Sequence, residues 1–235
     1  MNDAGPRLSC IIPAYNEAPR IGAVIRAVLA TPEIGEVIVV DDGSTDATAS
    51  VVEGMAVGAG GRLRLLRQAQ NGGKTRAVAS GVAVARGEHL MLIDSDLVGL
   101  SPAALSRLAA PVLDGRAGAS ISLRGNAPRS WRLIGLDYIS GERVMARRLL
   151  ADRLDALDRL PRFGLEVFMN GLWLDAGLKI AVVDWPEVAS PMKAAKRGGW
   201  VAGLKADAAM IRDILRTIPP LTVLRQIQGM RARRV

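Results

Sequence analysis

Several kinds of chemistry are excluded by what this sequence has little of. Its 235 residues include one cysteine, Cys10, and one histidine, His89. A lone cysteine closes no intramolecular disulfide and builds no thiolate metal cage, which suits a reducing compartment. A lone histidine removes multi-histidine metal centres and leaves little room for histidine-based hydrolase triads, so His89 reads as structural. Aromatic residues make up 3% of the chain, too few for base-stacking platforms, and a nucleic-acid partner is not expected. No run of 18 apolar residues occurs, so no spanning helix is expected, and the most apolar helical stretch, 164–183, carries Glu166, Asp175 and Lys179. The apolar run near the start is short and interrupted by Pro13, unlike a signal peptide; a cytoplasmic location is the expectation. The Gly-Lys-Thr at 73–75 lacks the earlier glycine of a P-loop, because Gln68 stands there.

What is present suits one globular domain. Apolar residues make up 49% and mean hydropathy is +0.20, enough side-chain surface to offset the entropy of folding. The net charge of +8 is uneven: residues 1–120 carry 11 Lys/Arg and 12 Asp/Glu, so the excess lies beyond them. Short β-branched runs at Leu8–Ile12, Glu36–Val40, Leu63–Arg67 and His89–Ile93 alternate with helical stripes at Arg20–Ala30, Thr45–Met55 and Lys74–Ala85. That rhythm predicts a largely parallel sheet covered by helices. Pro13 is expected to stop the first strand. The second half predicts strands at Ser120–Leu123 and Lys179–Asp184, a helix at Leu165–Ala176, and a mixed loop-helix region from Arg132 to Leu149. An amphipathic helix is expected over 204–218, ended by Pro219-Pro220.

In open α/β sheets ligands sit at the carboxyl ends of strands, and three polar clusters fall there. They are Pro13 to Glu17, Asp41-Asp42-Gly43-Ser44, and Asp94-Ser95-Asp96. Each one alone reads as a turn or helix cap. Two carboxylate clusters at one sheet edge repel unless a cation or hydrogen-bond donors compensate them. Asp94 and Asp96, one residue apart, suit a hard divalent cation, Mg²⁺ or Mn²⁺, that shares a substrate diphosphate. Asp96 is the better candidate ligand. Gly72 and Gly73 allow close approach of backbone to a ligand, with Lys74 as a point charge.

Together IIPAYNEAPRIG, VIVVDDGSTDAT, NGGKTRAVASGVAVARGEHLMLIDSDLVGL and FGLEVFMNGLWLDAGLKI resemble glycosyltransferase family 2 with its GT-A fold. The nearest flavour is that of prenyl-phosphate or dolichyl-phosphate sugar transferases and their soluble relatives. The resemblance implies a nucleotide-diphosphate sugar donor, with Pro13, Tyr15 and Glu17 lining the nucleoside pocket and Asp42 or Asp41 bonded to the base. It places Lys74 near the nucleotide, Asp94 and Asp96 in the family's metal motif, and Arg143 of Ser140-Gly141-Glu142-Arg143 against an acceptor phosphate. The resemblance also implies that Glu166 is an acceptor-orienting group or general base, where the residue alone reads equally as a glutamate favoured at a helix N-terminus; a hydroxyl acceptor needs a base and a phosphate acceptor does not. Relatives carry a histidine where this chain has Ser190, which puts metal affinity in question.

The resulting expectation is an α/β GT-A domain over 1–220, with a nucleotide-sugar half to about residue 120, an acceptor half beyond it, and a basic tail over 221–235. The activity implied is metal-dependent, inverting glycosyl transfer to a hydroxyl or polyprenyl-phosphate acceptor. The alternatives are a sugar-phosphate nucleotidyltransferase or a nucleotide-sugar-binding protein without transferase activity. The basic second half suits peripheral contact with an anionic membrane at its inner face as well as an ordinary solvated surface.

Overall fold

The computed structural model describes residues 7–157, 160, 164–190, 212 and 218–235. The helix expected over 204–218 lies, apart from residues 212 and 218, outside them. In chain order the elements begin β1 (Leu8–Ala14), α1 (Ala18–Leu29), β2 (Glu36–Asp41), α2 (Thr48–Ala56), β3 (Leu63–Arg67), α3 (Lys74–Val84), β4 (His89–Leu92) and α4 (Pro102–Leu113). They continue through β5 (Ala119–Arg124), α5 (Arg129–Ile134), β6 (Arg143–Ala146), α6 (Arg148–Ala151), α7 (Leu154–Leu157), α8 (Gly164–Asp175) and β7 (Ile180–Trp185) to a final helix, α9 (Pro220–Ala232).

The strands form one seven-stranded sheet in the order β3-β2-β1-β4-β6-β5-β7. Every neighbouring pair is parallel except those of β6, which runs against β4 and β5. Alternation along the strands supplies two cores. Ile11, Ile38, Val40, Leu90 and Leu92 face a layer containing Val78 of α3 and Trp173 of α8. Cys10, Ile12, Val37, Val39 and Met91 face the layer of Val24 from α1 and Leu108 from α4. Strands buried on both faces explain the continuous apolar runs.

Three sequence expectations need correction. Pro13 does not stop β1; it pairs in register with Val40, and the strand runs to Ala14. The carbonyl of Ile11 accepts from Ile93, and that of Ala14 accepts from Asp42. Alternation therefore turns the nitrogen of Pro13 toward the β4 side, where the ladder has already ended at Leu92, and no hydrogen bond is lost. The mixed region 132–149 contains β6, an interior strand of four residues. Finally, Pro219 and Pro220 open α9 rather than leaving a tail: a proline in the first helical turn sacrifices no helical hydrogen bond. Met230 and Val223 are buried, and Arg234 bridges to Ile180 beside β7.

Candidate functional site

The carboxyl ends of β1, β2 and β4 stand side by side, and the loops that follow them are knitted together. Asn16, at φ 55°, occupies the left-handed region that asparagine tolerates. Its Oδ1 accepts from the Thr45 amide at 2.8 Å, its own amide donates to Ser44 Oγ at 2.9 Å, and the next amide, of Glu17, donates to Thr48 Oγ1 at 2.8 Å. These bonds shape a cavity of about 350 Å³ lined by Pro13, Tyr15, Glu17, Asp42, Asp94 and Asp96 among others. Of the two adjacent aspartates, Asp42 reaches the cavity. Its oxygens accept from the Gly72 and Gly73 amides, each at 2.8 Å, and so hold the glycine turn against β2. Asp41 does not line it; its carboxylate takes the Ser44 amide at 3.2 Å.

That turn delivers Lys74 at the start of α3. Lys74 Nζ lies 2.7 Å from Asp94 Oδ1 and 3.2 Å from Glu166 Oε1, joining the end of β4 to the first turn of α8. Burial opposes the ammonium charge, but the two carboxylates outweigh it and raise the lysine's pKa. Burial likewise pushes Asp94 up, and Lys74 more than reverses this, holding Asp94 ionised. Gly141 packs directly on the pair: a Cβ there would lie 2.6 Å from both Asp94 Oδ1 and Lys74 Nζ.

Asp96 has a different environment. Ser190 Oγ sits 3.3 Å from each of its carboxylate oxygens, and Arg20 is spent on Glu17 at 2.8 Å. Burial raises the Asp96 pKa, and the charges of Asp94 and Glu17 add to the rise. Among the described residues no three His, Cys, Asp or Glu side chains converge on a metal-sized position. Crowded negative charge at Asp96 with a hydroxyl beside it is nevertheless an all-oxygen donor set that fits a hard cation whose remaining ligands are phosphate oxygens and water. Asp94, committed to Lys74, is the lesser donor.

A second, larger cavity of about 970 Å³ shares Gly73, Lys74, Asp94 and Ser190 with the first. Its other walls include Arg76, Arg124 and Glu166, with Ile139, Leu157, Leu160 and Leu165 supplying apolar surface. Arg124 emerges from the carboxyl end of β5, so the strand-end rule that points to Asp42 and Asp94 points to it as well. It donates to Asp137 at 3.2 Å and Glu142 at 3.3 Å. Arg143, expected to meet an acceptor phosphate, is placed elsewhere. It is 0% exposed, and its guanidinium is bonded inside the protein. β6 runs opposite to its neighbours, so Arg143 enters the sheet as the first residue of a strand instead of leaving one. Gly141 carries no functional group; its signal in the sequence is a small residue between two polar ones. His89 opens β4, at the strand end opposite Asp94 and Asp96.

The comparisons with known proteins agree with this arrangement. The sequence model of glycosyl transferase family 2 matches residues 9–163. Among similar curated proteins, glycosyltransferase GlyG of Streptococcus pneumoniae is 38% identical over 60 residues, 26% of this chain and 20% of that protein. A dolichyl-phosphate beta-glucosyltransferase of Drosophila melanogaster is 42% identical over 99 residues, 38% of this chain and 30% of that one. The aligned part thus spans less than a third of these relatives. Among solved structures, glucosyl-3-phosphoglycerate synthase of Mycobacterium tuberculosis, in complex with Mn²⁺, uridine diphosphate and phosphoglyceric acid, superposes with a TM-score of 0.68 at 25% identity, covering 95% of this chain and 79% of that chain. The same enzyme with glucosyl-3-phosphoglycerate bound gives 0.65 at 26% identity, covering 91% and 80%. The single-domain architecture, a mostly parallel sheet between helices with one antiparallel strand among the described residues, is that of the GT-A fold. With two thirds of its length matched and the strand-end loops in place, the chain belongs to glycosyl transferase family 2.

Proposed function

We propose that this chain is a metal-dependent glycosyltransferase that moves a sugar from a nucleotide-diphosphate sugar to a hydroxyl or phosphate acceptor. The observation that carries the reading is that two cavities of different character meet at Lys74 and Asp94. The smaller one, with Tyr15, Asp42 and the carboxylates of the third loop, suits a nucleotide diphosphate, and uridine-diphosphate glucose is the first donor to test. The larger one suits the acceptor: Arg76 supplies charge for an anionic group, and Ile139, Leu157 and Leu165 supply apolar contact. The sugar would stand at the junction.

Asp96, with Ser190, would hold Mg²⁺ or Mn²⁺; the cation supplies charge compensation for the diphosphate. Lys74 holds Asp94 as a carboxylate at the junction and adds positive charge beside the donor. Glu166, paired with Lys74, would take the proton of an acceptor hydroxyl. The acceptor oxygen then bonds to the anomeric carbon while the bond to the diphosphate oxygen breaks and its electron pair leaves with the diphosphate. Attack from the acceptor cavity, opposite the leaving group, gives inversion. A phosphate acceptor is already a nucleophile, and Glu166 would then orient rather than deprotonate it.

Peripheral contact with an anionic membrane surface is part of this reading. The exposed face of α9 carries Leu221, Leu224, Arg225, Gln228 and Arg231, with no acidic residue in the helix. Among the described residues no helix is long and apolar enough to cross a membrane. The test is calorimetric titration with uridine-diphosphate glucose and Mn²⁺, followed by transfer to phosphoglyceric acid and to dolichyl phosphate. Saturable donor binding with product from either acceptor supports the reading, and failure of donor binding overturns it.

A further inference from the structure

Arg143 is a fully buried cation whose hydrogen bonds among the described residues all go to neutral acceptors. Nε donates to the Ser140 carbonyl at 2.7 Å, Nη1 to Asn170 Oδ1 at 2.6 Å and to the Glu166 carbonyl at 3.5 Å, and Nη2 to the Tyr138 carbonyl at 3.1 Å. Asn170 Nδ2 donates to the same Tyr138 carbonyl at 3.1 Å, and the guanidinium carbon lies 4.9 Å from the centre of the Trp173 ring. Burial lowers its pKa to about 10. Removing a guanidinium from water is expensive, and an apolar side chain of similar volume would fill the space at lower cost.

What the arginine provides is geometry. It joins the 138–142 turn to α8, on which Glu166, Asn170 and Trp173 fall at spacings of four and three along one face. These same two pieces meet again at Lys74, where Gly141 packs on the Lys74–Asp94 pair and Glu166 reaches the ammonium. We propose that Arg143 is a positioning residue for glycosyl transfer: through Asn170 and the 138–142 turn it sets where Glu166 and Gly141 stand relative to the Lys74–Asp94 pair, without touching donor or acceptor. The assignment rests on the transferase reading above. It also explains why a planar fork is used: a lysine, with three donors on one nitrogen, cannot serve these four acceptors in fixed directions.

The test compares Arg143→Lys, Arg143→Met and Asn170→Ala with the unaltered chain. Four quantities are read: affinity for uridine diphosphate with Mn²⁺, steady-state transfer from uridine-diphosphate glucose, melting temperature, and hydrogen exchange of the amides at 138–142 and 164–170. Turnover should fall about 10- to 100-fold, the range for a misplacement of about 1 Å. Nucleotide affinity should stay within about threefold, since the donor cavity takes no bond from Arg143. Arg143→Lys should fall between the unaltered chain and Arg143→Met, and exchange at both segments should quicken without global unfolding. Turnover per folded molecule that matches the unaltered chain overturns the proposal, as does nucleotide affinity that falls in step with turnover. If Arg143→Met does not fold, Arg143→Lys and Asn170→Ala decide. If the unaltered chain transfers no sugar, the transferase reading fails, and exchange decides whether Arg143 holds the two segments: unchanged exchange overturns it.

Discussion

Replacing Gly141 with alanine separates the geometry of the site from the stability of the fold. The added Cβ would stand 2.6 Å from Lys74 Nζ, 2.6 Å from Asp94 Oδ1 and 2.9 Å from Asp94 Oδ2. Ordinary contact begins near 3.4 Å, so both groups must retreat by roughly 1 Å. Both are tips of side chains, and the Gly141 backbone does not lie in the left-handed region, so the fold can yield locally. The change in unfolding free energy should stay below about 1 kcal/mol. The cost falls on function, because the 2.7 Å Lys74–Asp94 contact and the 3.2 Å Lys74–Glu166 contact cannot both survive the shift. Turnover should drop on the order of 100-fold. Steady-state transfer from uridine-diphosphate glucose, with thermal melting in parallel, measures both quantities. Turnover within about threefold of the unaltered chain, with melting unchanged, would refute the placement of the reacting centre at this pair.

Asp96→Asn should lose donor affinity with Mn²⁺ on the order of 100-fold, at least what disturbing a metal ligand's support costs. Glu166→Gln should keep donor affinity and, with a hydroxyl acceptor, lose about 100-fold or more in turnover; titration and rates on both variants check the contrast. Glu36 is 2% exposed; burial pushes its pKa up, but hydrogen bonds from Ser9 and Arg86 and the charge of Arg64 outweigh this and lower it. Its stabilisation is therefore complete above the ordinary glutamate value and lost as pH falls through the lowered one. Glu36→Gln should cost about 1–3 kcal/mol at pH 7 and flatten the loss of stability below about pH 4.5, as read by denaturant melts across pH. Co-sedimentation with phosphatidylglycerol-containing vesicles should weaken in an Arg225→Glu/Arg231→Glu variant, by about 1 kcal/mol for each arginine removed; equal sedimentation would remove the membrane contact.

Much of this architecture was legible because it rests on the most local signals. β2 and β4 are continuous apolar strands, and their endings in aspartate point to one sheet edge. β6 is not legible: Arg-Val-Met-Ala is short, begins with a charge, and is a strand only because β4 and β5, both well before it in the chain, offer it an edge on either side in the sheet. The burial of Arg143 follows from that strand's direction and from Asn170 and Trp173, which are remote in sequence. The choice between Asp41 and Asp42 depended on which carboxylate the glycine turn at 72–73 would find. Pro13 looked like a terminator because the early end of β4 cannot be read from β1. Gly141 and Arg124 carry little signal in the sequence for opposite reasons, one having no side chain and the other being one of many arginines.

The position of β6 also bears on how the chain comes to be folded as it is made. β4 pairs His89 with Ala146 and Leu92 with Arg143, so its second edge is supplied by residues that emerge some fifty positions later. Until then Leu90 and Met91 sit on an unsatisfied border of hydrogen-bonding groups, a template for pairing with other chains. A ribosome that has released only the first 120 residues holds a sheet complete on the β3 side and open on the other. The reversed strand is the closing stitch, and the junction where Lys74, Asp94 and Glu166 meet cannot exist before it is made.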